Sequence, residues 1–288
     1  RKTKISNQKR ETMKKIAIIT DTDSSLPDDL ALRHAVYQVP INLHIDGKTY
    51  EAGVDLDDRL LFAKLENHNK KYPTTSAPPP AAFIKAFEAA IQAGAETIIC
   101  ICVSGKVSSS HNSAVLATEM FKNDITVYDS QNLSMGQGFM VLAAAEAVQN
   151  GASKEDVLQL LDDTGKRLFT FAVLPTLKYI ALSGRLNKFA AGLADTLNIK
   201  PILTVQNGEL VVMSRQRTMN RAVEKMLENL SLCCTEKGIE RGAIIHVNDL
   251  EGARRLHEQV SEKTLSKNPF IFSRSEERRV GKECRSRW

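Results

Sequence analysis

Short apolar strands alternate with helical stretches through most of this 288-residue chain, and that order constrains the fold more than any single motif does. Residues 15–20 read as a strand, 36–43 as a second, and Asp46-Gly47 as the turn into a third at 49–52. Residues 79–93 read as a helix: proline opens it, Phe83, Phe87, Ala90 and Ile91 recur at helical spacing, and Gly94 closes it. A wholly apolar strand at 97–103, a helix at 110–121 and a strand at 125–128 continue the pattern. Helices follow at 135–149 and 154–167, separated by Asn150-Gly151, the second capped by Ser153. The predicted fold class is α/β with a largely parallel sheet.

A second block begins with a strand at 169–174 and helical segments at 175–182 and 186–197. Strands at 199–205 and 209–214 turn at Asn207-Gly208, and helix 218–236, strand 243–247 and helix 250–263 complete it. Two α/β lobes are expected, residues 13–167 and 168–273, joined near 165–170. Both ends look foreign to them. Met13 followed by a basic pair and a strand makes residues 1–12 a non-native leader, and 274–288 resembles the in-frame translation of a short-read sequencing adapter. The natural chain is therefore expected to continue past about Ser273, leaving the second lobe without its last strand.

Charge is located in those ends. The formal charge of +5 divides into +4 in residues 1–12 and +3 in 274–288, leaving −2 for the body, so a nucleic-acid groove loses its compositional support. No apolar run reaches the roughly 18 residues a membrane span needs, and no signal peptide is recognisable, so a cytoplasmic protein without stable membrane insertion is expected. Five cysteines without a C-x-x-C pair suit neither a disulfide framework nor a zinc site, and Cys100 and Cys102 read as core residues of one strand face. There is no G-x-S-x-G, and Gly105-Lys106 lacks the rest of a phosphate loop. No cofactor or metal is called for, and a monomer is the default.

Polar residues collect where α/β sheets bind ligands, past strand ends and before helices. The clusters are 20–25, Thr74-Thr75-Ser76, and 104–110 (SGKVSSS). They supply hydroxyls and amides without an evident nucleophile, which suits holding a carboxylate or phosphate; caps and turns account equally for any one of them.

Six segments in order then resemble the DegV family: Thr20-Asp21-Thr22-Asp23-Ser24-Ser25-Leu26-Pro27; Thr74-Thr75-Ser76-Ala77-Pro78; 104–114; Val127-Tyr128-Asp129-Ser130 with Ser134-Met135-Gly136-Gln137-Gly138; Ser183-Gly184-Arg185-Leu186; and Ile199-Lys200-Pro201-Ile202, with Arg217-Thr218 continuing the order. The resemblance covers residues 13 to about 270. It implies a bacterial two-lobed protein that holds a long-chain fatty acid in an apolar tunnel and presents it to a separate fatty acid kinase subunit, in phospholipid precursor metabolism. By motif, Thr75 and Ser108 would bind the carboxylate with Ser76 and Ser104 nearby, Arg185 would be the cleft cation, and Arg217 would face the kinase. The chain departs from the family at Ser109-Ser110-His111, where Gly-Thr-Tyr is usual, and lacks the terminal A-H-x-G-x-G loop whose histidine belongs to the head-group site; His246 and His257 do not match it. Phe83, Phe87, Phe139 and Leu193 are expected in the core rather than on the ligand.

A rival reading comes from another class. Asp21-x-Asp23 after the first strand resembles the catalytic pair of magnesium-dependent phosphohydrolases, which also need a later acidic pair for the metal. Asp28-Asp29 and Asp162-Asp163 sit in helical context and suit that role poorly.

Overall fold

The computed structural model describes residues 15–52, 73–177, 180, 183–185, 199–234, 238–247, 249–264 and 268–274. Its strands are β1 (Ile16–Asp21), β2 (Tyr37–Val39), β3 (Asn42–Ile45), β4 (Lys48–Glu51), β5 (Thr74–Ser76), β6 (Thr97–Cys102), β7 (Asp124–Asp129), β8 (Phe171–Val173), β9 (Lys200–Gln206), β10 (Glu209–Gln216), β11 (Ala243–His246) and β12 (Ile271–Arg274). Its helices are α1 (Asp28–Arg33), α2 (Pro80–Gln92), α3 (Ser110–Thr118), α4 (Met135–Gln149), α5 (Lys154–Gly165), α6 (Met219–Cys233) and α7 (Leu250–Lys263).

The apolar run of β6 has a direct cause. It lies inside a four-stranded parallel sheet of order β2-β1-β6-β7, with every residue buried. Ile99 and Ile101 face α4 and α5 through Met140, Val141, Val157 and Leu161. Ile98, Cys100 and Cys102 face α2 and α3 through Phe83, Phe87, Ala114 and Ala117. A strand covered on both faces cannot alternate polar with apolar residues. Phe83 and Phe87 are fully buried, and burial of such a ring contributes about 1.5–3 kcal/mol. The two cysteine sulfurs lie 3.7 Å apart in this core.

Helix ends follow the local chemistry. Ser153 and Asp156 form a reciprocal capping box at the start of α5, and Gly151 takes φ +84° in the turn before it. Gly138 in α4 lets that helix approach the loop after β1: a Cβ there would lie 2.8 Å from the Ser24 carbonyl oxygen.

In four places the structure differs from the sequence expectations or adds to them. The strand expected at 36–43 divides at Pro40, which has no N–H for a ladder: β2 pairs with β1, while β3 leaves to form an antiparallel sheet of order β4-β3-β5. The Asn207-Gly208 turn joins β9 and β10 as the antiparallel hairpin its sequence implied, and β8 adds antiparallel to β9 on the other side, giving a sheet of order β10-β9-β8. A strand does form at the end of that block, β12, parallel to β11 from Ile271↔Ala243 to Arg274↔His246. The helix expected to reach Glu236 ends at Cys233. The helix expected at 186–197, with Leu193 in it, lies outside the described residues, as does most of 175–182 beyond Leu177.

Candidate ligand-binding site

The chain leaves β1 toward β2 on one side of the sheet and leaves β6 toward β7 on the other, so a crevice opens beyond the carboxyl ends of β1 and β6. Asp21 and Thr20, both wholly buried, stand at its base. Asp21 accepts from the Val103 N–H at 3.0 Å and from Gln137 Nε2 at 3.0 Å. Gln137 Nε2 also donates to Thr20 Oγ1, which in turn donates to the Ile101 carbonyl at 2.8 Å. Burial, and then the nearby charge of Asp23, push the Asp21 carboxyl up to about 8. This arrangement gives the phosphohydrolase reading no support: the would-be nucleophile is wholly buried and accepts hydrogen bonds on both oxygens. Asp162 accepts from the Tyr128 hydroxyl and Asp163 pairs with Lys166, both on α5 rather than at the crevice. Among the described residues no three His, Cys, Asp or Glu side chains gather as metal ligands.

The serine loop after β6 splits into different roles. Ser104 is wholly buried; its hydroxyl donates to the Gly208 carbonyl at 2.8 Å, and its N–H donates to the Asn132 carbonyl at 2.9 Å. Ser104 thus ties the sheet to the β9–β10 turn. Gly208 is required there, since a Cβ would lie 2.5 Å from the Ser104 hydroxyl and its φ is +80°. Ser108, half-buried, shares a 3.0 Å hydrogen bond with the Ser110 hydroxyl at the start of α3. Ser109 is exposed at φ −85°, so the absence of glycine there imposes no backbone strain.

Thr75 and Ser76 come from β5, where Thr75 pairs with Leu43. Ser76 is exposed and its hydroxyl is 2.9 Å from His44 Nε2, whose other nitrogen is 2.9 Å from Thr49 Oγ1. Thr75 is the exception: its Oγ1 is buried and has no hydrogen-bond partner among the described residues. Arg185 follows Gly184 (φ +72°) and donates to the Ser183 carbonyl at 3.1 Å, which turns its guanidinium back on that bend. Arg217 is exposed, one residue before the Thr218 cap of α6.

Beside this crevice lies a cavity of about 1330 Å³, bounded by α4 on one side and by β8, α6, β11 and α7 on the other. Its apolar wall includes Phe139, Phe171, Val173, Met226, Leu256 and Val260. Phe139 packs against the core cluster as expected and also lines the cavity. None of Thr75, Ser76, Ser104, Ser108 or Arg185 lines it. The serine loop reaches its edge indirectly: Val103 and Val107 join one apolar cluster with Leu133, Ala172 and Leu174, and the last three are cavity-wall residues.

Sequence reasoning missed the residues that join crevice to cavity. Ser134, on the cavity wall, holds φ 52° and ψ −147°, a region close to that normally left to glycine and one that costs about 1–3 kcal/mol to hold. Its N–H donates to the Asp23 carbonyl at 2.9 Å and its hydroxyl lies 3.1 Å from that of Ser25, so the loop after β1 imposes the strain. Both Ser134 and Gln137 stood in the sequence only as members of the DegV-like segment 134–138, with no role assigned to either.

The DegV family, described as "Uncharacterised protein, DegV family", matches residues 15–276. This chain belongs to that family. A DegV domain-containing protein of Caldanaerobacter subterraneus subsp. tengcongensis is 33% identical over 250 residues, 84% of this chain and 88% of its own. Among solved structures, a DegV family protein from Thermus thermophilus, described by its fatty acid binding, superposes with a TM-score of 0.84 at 29% identity, covering 93% of this chain and 96% of the other. DegV from Bacillus subtilis, described as a fatty acid binding protein, does so at 0.80 and 28%, covering 91% and 92%. The mixed α/β fold with its parallel sheet is thus the DegV fold. Among the described residues of this DegV chain, no helix is long and apolar enough to cross a membrane.

Proposed function

We propose that this chain binds a long-chain fatty acid, its carboxylate held at Thr75 and Ser108 with Ser76, Ser104 and Arg185 around them, and its acyl chain in the cavity beside α4. One observation carries the reading: Thr75 Oγ1, the hydroxyl that the DegV resemblance assigns to the head group, is buried without a partner. A buried donor left unmade costs about 1–3 kcal/mol, and a carboxylate oxygen would satisfy it. Two relatives of the same fold, described as fatty acid binding, support the same ligand class.

The energetics suit a binder. About fifteen methylenes at ~0.8 kcal/mol each contribute on the order of 12 kcal/mol gross, before the cost of ordering the chain. Head-group hydroxyls then set orientation more than affinity. Within this reading, residues 13–167 and 168–273 act as the two lobes, Ser104 ties one to the other, and Arg217 presents a cation to a separate kinase subunit that forms the acyl phosphate in the cytoplasm. No step of bond making falls to this chain.

The test is native mass spectrometry of protein purified from a bacterial host, followed by organic extraction. A co-purifying fatty acid of about 14 to 18 carbons, a size at which apolar burial outweighs ordering costs, is expected, and Thr75→Ala with Ser108→Ala should release it. Protein that is empty and takes up no fatty acid on incubation would overturn the reading.

A further inference from the structure

The cavity wall carries a means of measuring its ligand. Gly136, Phe139, Ala143 and Glu146 of α4 line the cavity at spacings of three and four residues, one stripe along the helix. From Gly136 to Glu146, ten residues on, the stripe runs about 15 Å at about 1.5 Å per residue. Carbon–carbon bonds of about 1.5 Å at about 111° advance about 1.25 Å per atom, so about 12 chain carbons lie alongside it.

The stripe then changes character. Glu146 receives a two-pronged contact from Arg241, with Nη1 to Oε1 at 2.9 Å, and both side chains line the cavity. They are only 33% and 32% exposed, unlike the neighbouring surface pair Arg167–Glu240 at 61% and 62%. The pair therefore bridges the cavity from α4 to the segment before β11. A methyl terminus reaching it must desolvate a half-buried ion pair without offering a hydrogen bond in return, which is unfavourable.

We propose that the Glu146–Arg241 ion pair is the chain-length stop of the acyl site, selecting fatty acids whose methyl end falls short of it. This rests on the proposed fatty acid binding, and it adds the specificity-determining residues. Removing both charges and their bulk opens the stripe toward Asn150, which also lines the cavity. Conversely, a large side chain at Ala143, partly exposed at the cavity wall, moves the stop nearer the head group.

The experiment is competition among saturated fatty acids of even chain length, from about 12 to 22 carbons on the length estimate above, read by native mass spectrometry on three proteins. The unsubstituted chain should favour lengths near the middle of the series. The Glu146→Ala/Arg241→Ala double variant should raise occupancy by the longest acids relative to the middle ones by about tenfold or more, and Ala143→Phe should shift occupancy by a similar factor toward the shortest. Ala143→Phe keeps the proposal falsifiable should the double variant fail to fold. Length profiles identical to those of the unsubstituted protein, in a folded double variant or in Ala143→Phe, would overturn the stop while leaving fatty acid binding intact. Failure of the unsubstituted protein to take up any acid would overturn the binding reading and the stop with it.

Discussion

The crevice at the ends of β1 and β6 and the face that receives β5 are both rich in hydroxyls, yet they use them differently. In the crevice Thr20, Asp21 and Ser104 are wholly buried and bonded to Gln137 Nε2 or to backbone, while Gln137 Oε1 is buried without a partner among the described residues. On β5 the Thr75 hydroxyl is buried and unpartnered, and on the cavity wall so is that of Thr164. Groups already satisfied build the frame, whereas groups left unsatisfied are those a ligand can complete.

The sharpest way to break that comparison is to delete one hydroxyl from each side. Thr75→Ala should weaken fatty acid binding by about tenfold or more, since a hydrogen bond to a charged group is worth about 1.5–3 kcal/mol, while the melting temperature of the ligand-free protein stays unchanged or rises. Binding titration beside a thermal melt reads both; a large loss of stability would make Thr75 a frame residue. Gly138→Ala should act wholly on the frame. Its Cβ would meet the Ser24 carbonyl oxygen at 2.8 Å and Met135 Sδ at 2.9 Å, and overpacking of this kind costs about 1–3 kcal/mol, more than the roughly 1 kcal/mol by which alanine favours a helix. A denaturant midpoint at or above that of the unsubstituted chain would contradict it.

Ser104→Ala should behave as the mirror image of Thr75→Ala. It leaves the Gly208 carbonyl without its donor, at about 1 kcal/mol or somewhat more, so unfolding shifts while the affinity of the folded protein changes little. The last comparison concerns pH and Asp21. Its carboxyl is held up to about 8 by burial and Asp23, so the folded state retains a proton that the unfolded state releases above its ordinary value of 3.8. Stability from this group is therefore complete below about pH 4 and is lost as pH rises through about 8. Asp21→Asn, which cannot ionise, should gain on the unsubstituted protein between pH 5 and pH 8 in denaturant titrations; parallel curves would contradict the shift.

Much of the frame is legible from local pattern. The all-apolar β6, the Ser153 cap, the Asn207-Gly208 turn and the Pro-opened α2 each reflect forces acting within a few residues, so their positions follow from sequence to within a residue or two. Pro40 was equally visible, yet the departure of β3 to another sheet depended on partners β4 and β5, the latter 30 to 34 residues away in sequence. In the second block the β9–β10 hairpin was legible from its turn, but the pairing of β8 on β9 was hidden, because it is set between segments far apart in the chain.

For the site, the chain by itself identified the hydroxyl clusters, since Ser and Thr before helices and after strands are chemically conspicuous. It also carried the DegV segments in order. What tertiary structure alone decided is which of those hydroxyls remain unpartnered, that Asp21 is sealed under Gln137, and that Glu146 meets Arg241 across a cavity 95 residues apart in sequence. Hydrogen-bond satisfaction and burial depend on which distant groups pack together, and a local pattern of residues carries no record of that.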